Sequence, residues 1–278
     1  MVNQGTKQTR VGVIAGFKAS DAALCSALEQ SFPNLTIVRY RIPIKQWIPW
    51  LLKKITNDGF FVLLGHLELS VFLRLQRLAE RLVRPSLWLR YTSRVPSWSK
   101  VQSPIVNCYS ETQAIKALRE VDVIVFLDAL RMSHRFHRQC KAQILQIIWS
   151  NLPQFYGDSG SFWSFSLNKE EPLGVSLILR GEHFNKFIIV SKTSIASESN
   201  DDLRTIKIKQ VLAVANILLS VIKRILQAQP AASYQPTPCR IFRPPTLFTY
   251  LKFLKHHSLT RLPNYAVSES VCQVADIS

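Results

Sequence analysis

Gln146 stands alone in an apolar run, Leu145-Gln146-Ile147-Ile148. A side-chain amide there can donate and accept hydrogen bonds. Further on, Glu182-His183-Phe184-Asn185-Lys186 gathers a carboxylate, an imidazole and a second amide, and Asp158 follows Gly157. His183 and Asp158 can exchange protons near neutral or acidic pH; Gln146 and Asn185 can only donate and accept hydrogen bonds. His134 and His137 are spaced to share one face of a helix, but no third ligand lies nearby, so no metal site is expected. Gly12 and Gly16 lack the third glycine of a dinucleotide fingerprint, and the chain has neither a Gly-rich phosphate loop nor a Gly-x-Ser-x-Gly elbow.

Positioning these groups requires a framework, and the hydrophobic pattern supplies one. Val11–Ala15 reads as a buried strand, Asp21–Phe32 as a helix and Leu35–Tyr40 as a second strand. Ile105–Asn107 reads as a short strand, Glu111–Arg119 as a helix, and Val121–Leu127 as a strand suited to a sheet interior. Ile144–Trp149 is a further strand leading into Ser150–Gly157, and Gly174–Leu179 with Phe187–Val190 forms an antiparallel pair. Ile206–Leu226 reads as a long helix. Strands alternating with helices define an α/β domain with a mostly parallel sheet. No internal repeat is visible.

The loop after the Gln146 strand, Ser150-Asn151-Leu152-Pro153-Gln154-Phe155-Tyr156-Gly157, is followed by Phe162-Trp163 and then Gly174-Val175-Ser176. It resembles the loop of the folate-dependent formyltransferases, a Ser-Leu-Leu-Pro-x-Tyr-x-Gly run, an apolar residue before Trp, and Thr-Gly-Val-Thr/Ser. The likeness covers about residues 10–192, and Trp149 and Asn151 depart from the usual Pro and Leu. It implies a three-layer α/β fold of the formyltransferase type, with 10-formyltetrahydrofolate as cofactor and a small-molecule amine as acceptor. A nucleotide-linked sugar is the preferred acceptor class, because the tRNA-directed relatives carry a full second domain. The folate would lie against Ala129, Leu130, Arg131 and Met132, and against the loop holding Glu182 and His183. Asp128 replaces a usual Gly of that segment.

The same resemblance locates the catalytic positions, and each is changed. Gln146 stands where the family has Asn, Ile148 where it has His, and Asn185 where it has Asp. Ile148 can neither donate nor accept a proton, and Asn185 cannot take one. General acid–base help is worth about 10²–10⁴ in rate. The expectation is therefore a formyltransferase scaffold whose catalysis is impaired or lost. A non-catalytic binding protein on that scaffold stays open, as does a binder of nucleic acid or a membrane surface. His183 or Asp158 reaching the site is the one conceivable rescue.

Composition bounds the rest. The 278 residues, 47% hydrophobic and 19% charged, suit a globular chain with a sizeable core and argue against general disorder. The net charge of +17 favours polyanionic or phosphorylated partners. Part of it falls in an insert over about residues 43–94, where Arg74, Arg77, Arg81 and Arg84 run beside Leu75, Leu78 and Leu82. Such a basic, amphipathic and aromatic insert offers polyanion contact. Five scattered cysteines without a Cys-x-x-Cys motif suggest reduced thiols and a cytoplasmic setting. Two greasy stretches, 59–75 and 211–222, read as buried helices; no transmembrane segment is expected. The domain division is residues 1–200 for the α/β unit and 201–278 for a helix with a proline-rich extension lying on the body.

Overall fold

Val11–Ala15 (β1) and Val123–Phe126 (β4) are buried along their whole length, as unbroken apolar runs must be when both faces of a sheet are covered. They pair in parallel, Val11 opposite Val123 and Ile14 opposite Phe126. In this computed structural model the described residues are 10–41, 52, 55, 56, 59–83, 98–127, 132–152, 160–167, 173–181, 187–196, 203–227 and 245–259. The other strands are β2 (Leu35–Tyr40), β3 (Ile105–Cys108), β5 (Gln143–Ile148), β6 (Leu173–Arg180) and β7 (Phe187–Ile195). They form one sheet ordered β3-β2-β1-β4-β5-β6-β7. Strands β1 to β5 are parallel, while β6 runs antiparallel to β5, and β7 to β6.

The chain winds outward from β1 through β2 to β3, then returns to the other side of β1 at β4. Such a reversal of strand order is where open α/β sheets characteristically bind ligands, beyond the carboxyl ends of the strands. Two layers of helix cover the sheet. Helices α1 (Ala19–Ser31) and α6 (Leu203–Leu226) pack on one face, with Leu24, Leu28, Val214 and Val221 against Val13, Val125, Leu145 and Val175. Helices α3 (Glu111–Ala117) and α4 (His134–Gln139) cover Ile14, Val38, Phe126 and Ile144 on the other. The three-layer, mostly parallel α/β architecture expected from the sequence is present.

Three further helices complete the description: α2 (Phe60–Val83), α5 (Gly160–Leu167) and α7 (Leu247–Leu259). Leu69 of α2, Phe162 of α5 and Tyr250 of α7 meet in a separate apolar cluster, with Phe72, Trp163 and Phe253 around them. Gly65 lets α2 approach α7 closely, since a Cβ there would stand 2.9 Å from the Thr246 Cβ.

One expectation of burial needs correction. Residues 59–75 do form a helix, but not a buried one: Leu63, His66 and Leu69 face inward, while Phe60, Phe61, Leu64 and Leu67 face out. Apolar residues lie all round this helix, so composition alone could not tell which side is covered. The stretch at 211–222 lies, as expected, within a longer helix; Thr205–Leu226 is long and apolar enough to cross a membrane, and its Val211, Val214, Leu218 and Ile222 are part of the sheet core. Finally, residues 247–259 are helical, with Leu247, Tyr250 and Leu254 at helical spacing toward the apolar cluster.

Gly12 tests the packing of α3 on β1. A Cβ at this position would come within 2.5 Å of Leu118 Cδ2 and 3.2 Å of Val121 Cγ2, both side chains being buried. Gly12→Val is expected to lower stability by about 1–3 kcal/mol, despite the better strand propensity of valine. The check is a lower urea midpoint at unchanged slope.

Candidate functional site

β5 alternates cleanly between the two faces of the sheet. Leu145 and Ile147 join the core under α1 and α6, so Ile144, Gln146 and Ile148 share the opposite face. Across the antiparallel ladder, Gln146 is opposite Ile178, Ile148 opposite Ser176, and Ile144 opposite Arg180. Gln146 is thus flanked along its own strand by apolar residues, and its polar partner comes diagonally from β6. The Arg180 Nε and Nη2 both donate to the Gln146 Oε1, at 2.8 and 2.6 Å. With the oxygen taken by a cation, the amide nitrogen is the group that Gln146 keeps for a ligand. The Arg180 guanidinium also stands 5.7 Å from the centroid of the Phe187 ring.

Ile148 is 7% exposed and packs with Leu152, Ile178 and Ile189. This pocket of aliphatic side chains suits isoleucine and would raise the cost of a charged imidazole. Among the described residues, no acid or base accompanies Gln146 and Ile148 in these hydrogen bonds or in this cluster. Asn185, Glu182 and His183 lie outside the described residues, as do Asp128, Ala129, Leu130, Arg131 and Asp158. Of the expected folate segment only Met132 is described. Its side chain is buried with Phe126 and Phe136.

The loop after β5 is pinned from both faces of the sheet. On one side the Ser176 hydroxyl donates to the Ser150 carbonyl at 2.9 Å and accepts from the Leu152 N–H at 3.0 Å. On the other the Gln210 Nε2, carried by α6, donates to the carbonyls of Trp149 and Gly174, at 3.3 and 3.0 Å. Gly174 gives the room: a Cβ there would be 2.8 Å from the Thr193 carbonyl oxygen and 3.2 Å from the Asn151 Cβ. The Gly-Val-Ser signal therefore has a physical reason, a close approach followed by a hydroxyl that clamps the loop. Sequence reasoning missed Arg180 and Gln210. Arg180 had a detectable signal, since it shares the alternation of Ser176 and Ile178 on β6.

Other candidate groups are absorbed by the fold. Asp21 is buried and its Oδ2 accepts from the Gly16 N–H at 2.9 Å, holding the turn after β1. Ser133 caps α4 by accepting from the Phe136 N–H at 3.3 Å, and Glu111 accepts from the Ser133 N–H at 2.7 Å. The His137 ring stacks on Phe126, and among the described residues no three His, Cys, Asp or Glu gather as metal ligands. Burial pushes the Cys25 thiol far up, with the Asp21 carboxylate adding to it, and raises Cys140 to about 11. Neither thiol is a ready nucleophile.

No family model matches the sequence, and no curated protein matches it. The fold has clear counterparts among solved structures. A 4-N formyltransferase from Francisella tularensis superposes with a TM-score of 0.51 at 10% identity, over 84% of this chain and 76% of its own. An N-formyltransferase from Helicobacter canadensis, in complex with folinic acid and dTDP-3-aminofucose, gives 0.52 at 12% identity, over 84% and 70%. Phosphoribosylglycinamide formyltransferase from Anaplasma phagocytophilum gives 0.50 at 15% identity, over 80% and 88%. At these identities the likeness is one of fold, and the fold is that of the formyltransferases.

Ser176→Ala would remove the acceptor of the buried Leu152 N–H and a donor to the Ser150 carbonyl at the start of the loop. It is expected to cost about 1–3 kcal/mol, more than an exposed serine would. Thermal unfolding of the variant beside Ser103→Ala and Ser176→Ala/Ser103→Ala would separate the loop clamp from the Ser103 hydroxyl's bond to Glu29.

Proposed function

We propose that this protein uses a formyltransferase scaffold to bind a reduced folate of the 10-formyltetrahydrofolate type, with formyl transfer to an amine impaired or lost. In this reading the folate lies at the carboxyl ends of β4 and β5, against the backbone of Ala129–Met132 and the loop of Glu182 and His183. The residues around β5 suit one half of the chemistry. The Gln146 amide, its carbonyl fixed by Arg180, can donate to a formyl oxygen, much as an oxyanion donor does. A bound formyl folate would supply the one-carbon group; the chain's own part would be to hold that carbonyl and exclude water.

The observation that carries the loss of catalysis is the packing of Ile148 among Leu152, Ile178 and Ile189. Where deprotonation of the amine calls for an imidazole, an aliphatic side chain fills the space. Asn185, at the position of the carboxylate, adds a second defect of the same kind. A non-catalytic binding protein is the limiting form of this reading. The acceptor, where transfer survives, is a nucleotide-linked amino sugar, whose phosphates suit a chain of net charge +17. A cytoplasmic setting goes with this reading, since both ligands are cytoplasmic metabolites by class.

Calorimetric titration with 5-formyltetrahydrofolate, a stable analogue, is expected to give saturable binding at about micromolar affinity. Absence of heat up to about millimolar ligand would end the folate reading. Formyl transfer to amino-sugar nucleotides should stay near the buffer rate for the natural chain. Ile148→His with Asn185→Asp is expected to raise it by about 10²-fold or more. Folate binding without any gain in the double variant would favour the purely non-catalytic form.

A further inference from the structure

The outer helices α2 and α7 carry a surface that the candidate site does not use. On α2, Phe61, Leu64, Leu67, Val71, Leu75 and Leu78 are all exposed, Phe61 at 84%. Their spacing places them on one arc of the helix, opposite the arc that buries Leu63, His66 and Leu69. This row spans most of the helix, far beyond the scattered apolar residues of an ordinary surface. On α7, in contact with α2 through the Leu69–Tyr250 cluster, Phe248 is 78% exposed and Leu251 is exposed beside it.

Cations border the exposed apolar side chains of α7, where Lys252 and Lys255 are exposed four and seven residues after Phe248 and on the same arc. On α2 exposed Arg74 lies next to Leu75, and Glu68 is the exposed carboxylate within the apolar arc. The α7 segment Leu247–Leu259 contains no acidic residue. Large apolar side chains projecting among lysines match the interface of an anionic bilayer, where acyl chains take the rings and headgroups take the charge. Two other occupants fit less well. A second copy packed face to face would bring together two surfaces that each carry Lys252, Lys255 and Arg74. A nucleic acid would meet the charge but leave the leucine row without any gain.

We propose that the α2–α7 face docks this protein on an anionic membrane surface, lying in the headgroup region without crossing the bilayer. The docking is independent of whether the folate pocket is occupied, so failure of either reading leaves the other intact. Lysine at such an interface contributes enough that reversing two should lower partitioning at least about thirtyfold, and truncating two exposed apolar side chains at least about tenfold.

The test is co-sedimentation of the full chain with sucrose-loaded vesicles of phosphatidylcholine alone, and of phosphatidylcholine with about one third phosphatidylglycerol. Binding is expected on the anionic vesicles, falling between about 0.1 and 0.5 M salt. Lys252→Glu/Lys255→Glu and Phe61→Ser/Leu67→Ser should each weaken it, while circular dichroism stays unchanged because all four side chains are exposed. Equal partitioning on both vesicle types, or no partitioning, would overturn the proposal. So would a dimer in sedimentation velocity that Phe61→Ser/Leu67→Ser dissociates, because that result assigns the face to a second copy.

Discussion

The antiparallel pairing of β6 with β5 decides which side chains meet at the carboxyl end of the sheet, because one step of register would turn every residue of β6 to the other face. With Ile148 opposite Ser176, three consequences follow together. Ser176 reaches the Ser150 carbonyl and the Leu152 N–H and fixes the outgoing loop. Ile178 meets Ile148 in an apolar cluster. Arg180 comes within reach of Gln146 and takes its carbonyl. In the opposite register, Val175, Leu177 and Leu179 would face the site and the core under α6 would receive a serine and an arginine. That cost in buried, unpaired polar groups makes the register secure.

The same pairing explains how much could be read from the sequence. The Leu35–Tyr40 strand and the order of the elements were legible because apolar runs flanked by turns are local signals. The loop motif was legible as a likeness, and Gly174 with Ser176 supplies its physical content. Arg180 beside Gln146 was not, since the partners are 34 residues apart and only the strand register joins them. β5 ends at Ile148 and not at Trp149 for a similar reason: the Trp149 carbonyl is taken by Gln210, on a helix more than fifty residues further along the chain. The burial of α2 was misread because its apolar residues run all the way round. The α7 helix was hidden behind the proline-rich stretch before it, although Leu247, Tyr250 and Leu254 carried the right spacing. Asn185 and the Glu182-His183 pair lie outside the described residues, so their part in the site rests on the likeness alone.

The distribution of charge and grease sets this chain apart from a simple core-and-surface division. Its sheet core has little to do with the net charge of +17. Cations and exposed apolar side chains meet on α7, where Lys252 and Lys255 stand on the arc of Phe248, and the two features there support one another. Lysine and arginine keep a greasy face in solution by repelling other copies. The same cations favour an anionic surface that can accept both features at once. An exposed leucine row without the charge would invite self-association, and charge without the row would need no such helix.

On the proposed reading, this scaffold outlasts its chemistry because stability and catalysis make opposite demands at β5. A histidine at position 148 would sit among Leu152, Ile178 and Ile189, where burial disfavours its charged form and any unpaired ring nitrogen costs free energy. Isoleucine removes that penalty and adds apolar contact, so the change costs the fold nothing and is favourable for packing. Gln146 differs in kind. It remains polar in a 9% exposed position, which is sustained only because Arg180 meets its carbonyl. An apolar residue would serve the packing there at least as well, with Ile144 and Ile148 on either side of it. On the proposed reading, this polar pair is kept because it addresses a ligand oxygen: the imidazole position is given over to the core, and the amide position is not.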